Sequence, residues 1–320
     1  MKRTLSACCV ISLSSVLLSS SLPSQSQKEP EGKYVVVGGH RLWYRIVGKG
    51  EPLLLIPGGP GVAHSYFWPH FDRLSDSFQV IYFDAFGRGR SDRAKDPREY
   101  SHAHDVDEVE GFRQALGLGK INLYGQSYGG IVAQGYALKY PNSLKRLVLA
   151  NTLHSAEMWQ KGNNDYWNYQ IQNQYPEIWA RLDSLREKGV LSCDSVYQAI
   201  EGDVPVSLFY YYDPSNVDVK ASASFSYDIQ VYAQIAGPDA DFILGGDMAS
   251  LDFRAKLSSV RVPTLILAGR FDRVAIPRYS IQFKRFMPQA QFVMFEKSGH
   301  LPFIEEPQRH DAVLREFLKK

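Results

Sequence analysis

The sequence predicts an α/β protein with a mostly parallel sheet, helices on both faces of the sheet and an inserted helical cap. Short, continuously apolar runs recur along the 320 residues and are separated by segments of helix length. This alternation is typical of parallel strands that are buried on both faces. It stops between residues 152 and 250, where helix-compatible segments occur without a strand-like apolar run.

The strands are predicted in order along the chain. Residues 34–37 and 42–47 are predicted to pair around the Gly38-Gly39 turn. Further strands are predicted at 53–56, 80–83, 121–124, 147–150, 264–268 and 291–295. A helix is predicted after Tyr124, and Pro141 ends it because proline cannot continue a helix. The last helix is predicted at 308–318.

The predicted organisation is a leader at 1–26, an α/β core at 27–151 and 251–320, and a cap at 152–250. The leader begins with Lys2 and Arg3, continues in an apolar run and ends in small residues, which is typical of a signal peptide. We therefore expect export to the periplasm or the medium. The alternative is a membrane anchor, but the apolar run is shorter than the roughly 20 residues that a spanning helix needs.

Composition excludes several classes of protein. A net charge of +2 argues against a strongly basic nucleic-acid binder, and 44% hydrophobic residues argue against a disordered chain. After cleavage of the leader, Cys193 is the one remaining cysteine, so no disulfide framework is expected. The sequence contains no HExxH, CxxC or GxxxxGK[ST] motif, and we predict neither a metal nor another cofactor. The expected partner is a small peptide or another small molecule, and the oligomeric state stays open.

The segment Gly125-Gln126-Ser127-Tyr128-Gly129 matches the G-x-S-x-G pattern between a predicted strand and a predicted helix. A serine on such a sharp turn needs small neighbours, since a Cβ atom at either glycine would collide with the backbone. The turn presents Ser127 at a helix N-terminus, where negative charge is favoured. The pattern predicts a nucleophilic serine; the alternative is a tight turn without a catalytic role.

A serine hydroxyl needs a base, and two residues follow later strands in the required order. Asp272 lies just past the strand at 264–268, and His300 lies just past the strand at 291–295. Both are therefore expected at the same edge of the sheet as Ser127. We expect His300 to accept the serine proton and Asp272 to orient the imidazole and stabilise its charged form.

Acyl transfer also needs N–H donors for the developing oxyanion. One is expected from the backbone of Tyr128, immediately after the nucleophile, and one from Gly59 in the loop after residue 56. The alternative for this glycine-rich loop is a turn that merely ends the strand.

With these motifs, the sequence resembles the proline iminopeptidase family of the α/β-hydrolase superfamily. The resemblance covers residues 53–318 and rests on GGPG at 58–61, on DAFGRGRS at 84–91, on GQSYGG at 125–130 and on the contexts of Asp272 and His300. It implies the α/β-hydrolase fold and a serine exopeptidase that removes an N-terminal residue, often proline, from short peptides.

The family's cap supplies carboxylates that hold the free α-ammonium of the substrate. By this resemblance, Asp241 in the segment 237–242 takes the acidic position, and Asp213 is a further candidate. The sequence departs from the family twice. Pro57 stands where histidine usually precedes GGPG, and Asp241 stands where glutamate is usual.

Two other functions remain open at this point. A carboxylesterase or lactonase would use the same three catalytic residues, because they do not distinguish an ester from an amide. A binding protein would retain them without activity. Trp159, Trp167 and Tyr210 either line a substrate pocket or form the core of the cap.

Charge is strongly segregated along the chain. Residues 152–250 contain 14 acidic and five basic residues, whereas the rest of the chain is basic. An acidic cap is either a solvated surface or a device that attracts a positively charged amino terminus. The second interpretation favours an amine-bearing substrate over a neutral ester.

Overall fold

The computed structural model describes residues 31–205, 207–216 and 227–319. The predicted signal peptide at 1–26 lies outside these residues. The strands are β1 (Lys33–Val37), β2 (His40–Val47), β3 (Glu51–Ile56), β4 (Phe78–Phe83), β5 (Ile121–Gln126), β6 (Leu144–Ala150), β7 (Thr264–Gly269) and β8 (Gln291–Phe295). Each predicted strand is therefore present, with a shift of at most three residues at either end.

All eight strands form one sheet in the order β1-β2-β4-β3-β5-β6-β7-β8. β1 pairs with β2 and β2 pairs with β4 in antiparallel fashion, and all the other pairs are parallel. The predicted mostly parallel sheet is confirmed. The central strand β5 and the strand β7, which is separated from β5 by β6, are buried along their whole length. This burial explains why both segments are mainly apolar in the sequence.

The helices connect the strands and cover the sheet. They are α1 (His102–Ala115), α2 (Tyr128–Lys139), α3 (Ala156–Trp159), α4 (Asp165–Gln174), α5 (Pro176–Arg186), α6 (Ser195–Glu201), α7 (Ser207–Tyr210), α8 (Ile229–Ala236), α9 (Pro277–Ser280), α10 (Phe283–Phe286), α11 (Pro302–Glu305) and α12 (Pro307–Leu318). Helix α2 ends two residues before Pro141, as predicted. In the described parts of the chain, no helix combines the length and the apolar character that crossing a membrane requires.

Two hydrophobic cores lie on opposite faces of the sheet. Leu54 of β3 packs in the core that contains Ile131 of α2, whereas Leu55 packs in the core that contains Leu314 of α12. Successive side chains of a strand point to opposite faces, so neighbouring residues enter different cores. Helices therefore cover both faces of the sheet.

Between β6 and β7 the described residues form helices and add no strand to the sheet. These helices have a smaller core of their own, in which Ile171 of α4, Leu182 of α5, Tyr197 of α6 and Phe209 of α7 are buried. We refer to residues 152–250 as the cap; its exact boundaries stay a prediction.

Candidate active site

Ser127 occupies the sharp turn between β5 and α2. Its backbone has φ of 56° and ψ of −125°, a conformation that L-residues rarely adopt. A Cβ atom at Gly125 would lie 2.3 Å from the carbonyl oxygen of Gly129, and one at Gly129 would lie 2.0 Å from that of Ile56. Both glycines are therefore required for the turn, which is the steric reason that the sequence motif suggested.

His300 and Asp272 form a buried pair at the same edge of the sheet. The Nδ1 atom of His300 lies 2.9 Å from Oδ2 of Asp272 and 3.1 Å from Oδ1. Only 1% and 2% of the two residues are exposed, so the pair is shielded from water. Burial alone would raise the pKa of Asp272, but the adjacent His300 and several hydrogen bonds to the carboxylate lower this pKa below its ordinary value.

The donors to the Asp272 carboxylate come from two places. The backbone N–H groups of Val274 and Ala275 each donate to Oδ1 at 2.8 Å. The side chain of Asn151 donates to Oδ2 at 2.9 Å and to the Gly299 carbonyl at 3.2 Å. Asn151 was not found from the sequence. Its position directly after β6, at the same edge of the sheet, was the available signal.

A further hydrogen bond joins the nucleophile turn to the histidine loop. Gln126 directly precedes Ser127, and its side-chain amide donates to the His300 carbonyl at 2.9 Å. The structure thus brings the turn that carries Ser127 next to the loop that carries His300. Tyr210 of the cap completes this contact, since its carbonyl accepts the N–H of His300 at 2.8 Å.

The two residues predicted as oxyanion donors, Gly59 and Tyr128, line the same cavity as Ser127. Tyr128 is the first residue of α2, and the first N–H groups of a helix have no partner within it. Gly58 also lies against the nucleophile, because a Cβ atom there would be 2.9 Å from Ser127 Cβ and 3.4 Å from Oγ.

A buried ion pair lies behind Tyr128. Its phenol donates to Oδ2 of Asp105 at 2.6 Å, and Arg88 donates to both oxygens of Asp105 at 2.8 and 2.6 Å. Asp105 and Arg88 are 4% and 3% exposed. Arg88 belongs to the DAFGRGRS segment, so this motif supports the residue that follows the nucleophile.

The cavity in front of Ser127 has a volume of about 320 Å³ and lies between the sheet edge and the cap. Its walls are mainly aromatic, with Tyr66, Trp159, Trp167, Tyr210, Tyr227 and Tyr232 among the lining residues. Trp159, Trp167 and Tyr210, whose role was open, therefore face the cavity. Trp167 also packs within the cap, where it stacks on Phe209 at 3.5 Å between ring centroids.

Two carboxylates line this cavity, Asp241 and Glu201. Tyr232 donates to Asp241 at 3.3 Å, and Gln198 donates to Glu201 at 3.1 Å. Burial raises the pKa of Asp241. Burial and the negative charge of Asp241 raise the pKa of Glu201 well above its ordinary value. Burial is the largest cause of both shifts, and for Asp241 it outweighs the opposing charge of Arg186.

The second predicted acid, Asp213, is not among the residues that line the cavity in the described part of the chain. Its carboxylate accepts hydrogen bonds from the backbone N–H and the hydroxyl of Ser215, at 3.0 and 2.5 Å. The second carboxylate beside Asp241 is instead Glu201, at the end of α6. The sequence indicated that residues 152–250 are acidic but did not single out Glu201, because proximity in the cavity has no local pattern.

Among the residues that the structure describes, no group of three or more histidines, cysteines or carboxylates is arranged to hold a metal ion.

Comparison with known proteins decides the family. A family model described as the alpha/beta hydrolase fold matches residues 51–192 and 202–307. A proline iminopeptidase from Saccharolobus solfataricus is 30% identical over 281 residues, which cover 86% of this chain and 87% of that protein. The chain belongs to the proline iminopeptidase family of α/β hydrolases.

Two other proline iminopeptidases match this chain over most of its length, and the one with a crystal structure has the same fold. The protein of that name from Heyndrickxia coagulans is 29% identical over 292 residues, covering 90% of this chain and 98% of its own. The crystal structure of the Mycobacterium smegmatis proline iminopeptidase is 24% identical, has a TM-score of 0.70, and covers 90% of this chain and 98% of that chain. The resemblance drawn from the motifs is thus confirmed, and the chain is a serine hydrolase. Glu201 lies between the two segments that match the family model.

Proposed function

We propose that this enzyme is a serine exopeptidase that releases an N-terminal residue, often proline, from short peptides. The observation that carries the proposal is the placement of Glu201 and Asp241 in the same aromatic cavity as Ser127. A pair of carboxylates in the wall of a cavity suits a cationic ammonium group. A neutral ester carries no positive charge that would offset the desolvation cost of the two carboxylates.

In the proposed mechanism, Ser127 Oγ attacks the first carbonyl carbon of the peptide while His300 accepts the hydroxyl proton. Asp272 holds the imidazole in one tautomer through its bond to Nδ1. The backbone N–H groups of Tyr128 and Gly59 stabilise the oxyanion. His300 then gives its proton to the departing amine, and the C–N bond breaks.

The product of this first stage is an acyl-enzyme on Ser127. Water then attacks the ester carbon, His300 accepts one of its protons, and the released amino acid leaves as the proton returns to Ser127. Each proton that His300 accepts is therefore returned within the cycle, and no further reactant is consumed.

The carboxylate pair sets the length of the fragment that is removed. An ammonium group between Glu201 and Asp241 favours their ionised forms and lowers the raised pKa values of both. The scissile carbonyl then belongs to the same residue as the anchored amine, so a single residue is released. N-acetylation removes the positive charge and adds bulk, so a blocked peptide is expected to bind poorly.

A substrate panel tests the proposal. We expect hydrolysis of proline β-naphthylamide and much slower hydrolysis of N-acetylproline β-naphthylamide. Equal rates for the free and the blocked amide would exclude recognition of the ammonium group. Turnover of p-nitrophenyl esters without turnover of any aminoacyl amide would favour a carboxylesterase or lactonase instead.

Labelling tests the assignment of the nucleophile. A fluorophosphonate probe reacts with an activated serine, so we expect it to label the wild-type enzyme and not the Ser127→Ala variant. Ser259→Ala, which changes an exposed serine that does not line the cavity, is the control and should retain labelling. A wild-type enzyme that resists the probe would support the interpretation as a binding protein without activity.

We also propose that residues 1–26 are a signal peptide and that the mature enzyme is exported. The support is the sequence pattern of Lys2, Arg3, the apolar run and the following small residues. N-terminal sequencing of the enzyme from extracellular or periplasmic fractions is expected to start near residues 20–27. An intact Met1 on enzyme confined to the cytosol would contradict the proposal.

A further inference from the structure

Asp241 belongs to a short loop of the cap, residues 239–242, which we call the carboxylate loop. The loop is part of no helix or strand, so the hydrogen bonds of a helix or sheet do not satisfy its carbonyl groups. These groups need other hydrogen-bond donors. Those partners come from one helical stretch that runs from α3 through a π-helical turn at Gln160–Asn164 into α4.

Three carboxamide side chains of this stretch reach the carboxylate loop. Gln160 donates to the carbonyl of Phe242 at 2.8 Å, and Asn164 donates to that of Ala240 at 2.5 Å. Asn168 donates to the carbonyl of Asp241 itself at 2.8 Å. The three residues are spaced four apart and therefore share one face of the helix. Together they hold three successive carbonyl groups of the loop.

The chemical type of these side chains matters. A lysine or arginine in their place would also donate hydrogen bonds, but its charge would neutralise the Asp241 carboxylate. An apolar side chain would leave buried carbonyl groups without a partner, which is costly. Carboxamides fix the loop and leave the negative charge of the cavity for the substrate.

The opposite side of the loop is also anchored. Arg186 makes two bonds to the carboxylate of Asp239 at 2.6 and 2.8 Å, so its charge is compensated within the cap. The hydroxyl of Ser192 accepts the backbone N–H of Asp241 at 3.2 Å. The carboxylate loop is thus held between α5 and the carboxamide face, and Asp241 projects from a backbone that is hydrogen-bonded on both sides.

The π-helical turn links this face to the cavity. Asn163 and Asn164 both lie within the turn, and both line the cavity in front of Ser127. Such turns occur frequently at functional sites. The same segment therefore contributes to the cavity wall and holds the loop that carries the carboxylate.

We propose that Gln160, Asn164 and Asn168 are positioning residues for recognition of the substrate amine, because they fix the backbone of Asp241. This inference rests on the proposed function, in which Asp241 binds the ammonium group. It predicts that loss of one carboxamide weakens amine binding while the chemistry at Ser127 is preserved.

The test uses Asn168→Leu, which keeps the side-chain size and removes the donor. The control is Asn173→Leu on the exposed side of the same helix. For proline β-naphthylamide, we expect KM to rise by about fivefold or more with kcat within about twofold, since uniform binding energy is lost. Turnover of p-nitrophenyl acetate, which carries no amine, should not change.

Three results would overturn the inference. They are an unchanged KM in folded Asn168→Leu, an equal loss on the amide and the ester, and an equal effect of Asn173→Leu. If Asn168→Leu does not fold, Asn168→Ala removes the donor without added bulk and is judged by the same criteria.

Asp241→Asn, measured in parallel, distinguishes a failure of the proposed ammonium site from a failure of the positioning role. If it leaves KM unchanged, the ammonium site itself is wrong; if it raises KM and the Asn168 variants do not, only the positioning role is wrong.

Discussion

At the scale of single residues, backbone strain is concentrated at the active site. In the described part of the chain, Ser127 and Asn151 are the non-glycine residues with positive φ, at 56° and 45°. One is the proposed nucleophile, and the other donates to the Asp272 carboxylate. Strain of this kind persists where the surrounding structure enforces it. Here, the required glycines at 125 and 129 enforce the turn at Ser127.

Gly58 gives a residue-scale prediction. Gly58→Ala places a methyl group 2.9 Å from Ser127 Cβ, so one of the two must move. We expect kcat/KM for proline β-naphthylamide to fall by about 10- to 100-fold, because small displacements of a nucleophile are costly. Gly119→Ala is the control, since no atom lies within 4 Å of its added Cβ. Comparable activities of the two variants would contradict the close contact with the nucleophile.

At the scale of elements, α1 is tied to the nucleophile turn through the buried pair of Asp105 and Arg88. Three of the six buried residues of α1 are acids, namely Asp105, Glu108 and Glu110. For that reason an apolar pattern could not predict this helix from the sequence. Its acids accept bonds from Arg88, from the Phe86 backbone and from Arg113, and so they are satisfied within the fold.

The ion pair of α1 gives a prediction about stability. Asp105→Ala leaves Arg88 buried without its partner, and we expect the free energy of unfolding to fall by about 3–5 kcal/mol. Asp107→Ala removes an exposed pair with Lys139 from the same helix and should cost less than about 1 kcal/mol. Urea denaturation of both variants measures the difference. Similar losses of unfolding free energy in the two variants would contradict a larger contribution of the buried pair to stability.

Helix α11 holds the histidine loop against the cap. Its last residue, Glu305, accepts the N–H of Gly299 and the N–H of Tyr212, both at 2.6 Å. Burial raises the pKa of Glu305 from 4.5 to about 7, although these hydrogen bonds oppose the shift. The carboxyl therefore changes charge near neutral pH.

The sign of the pH effect follows from the raised pKa. Between pH 4.5 and 7 the folded chain retains a proton on Glu305 that the unfolded chain has released, so the contribution of Glu305 to stability falls as pH rises through this range. After allowance for partial solvation, we expect a loss of about 1–2 kcal/mol. Glu305→Gln should remove this part of the pH dependence in thermal unfolding, and the exposed Glu187→Gln should not. The same pH dependence in the wild type and in Glu305→Gln would contradict the assignment.

At the scale of the whole molecule, the strands were predictable, whereas only Asp241 of the two carboxylates in the cavity was named from the sequence, through the family resemblance. Strands such as β5 and β7 are buried throughout, so their apolar runs identify them. Ser127, Asp272 and His300 follow the parallel strands β5, β7 and β8, and strand direction brings them to one edge. Glu201 and Asn151 depend on how distant segments pack, and no local pattern contains that information.

The segregated charge of the molecule predicts a dependence on ionic strength. The cap has 14 acidic and five basic residues, and two of its acids line the cavity. This field attracts a cationic substrate and is screened as the Debye length falls from about 30 Å at 0.01 M to about 8 Å at 0.15 M salt. We expect kcat/KM for proline β-naphthylamide to fall about threefold or more over this range. The value for p-nitrophenyl acetate should stay constant, and a parallel fall of both would exclude attraction by the cap.

Recognition of the amine by Glu201 and Asp241 is the central claim, and one ratio tests it most directly. The ratio compares kcat/KM for proline β-naphthylamide with that for N-acetylproline β-naphthylamide in the wild type and in Glu201→Gln/Asp241→Asn. Asp203→Asn, an exposed cap acid paired with Arg181, is the control. We expect the double variant to lower the ratio by about 10- to 100-fold, since it removes charged partners of the ammonium group. A ratio that is the same in the wild type, the double variant and the control would contradict the claim.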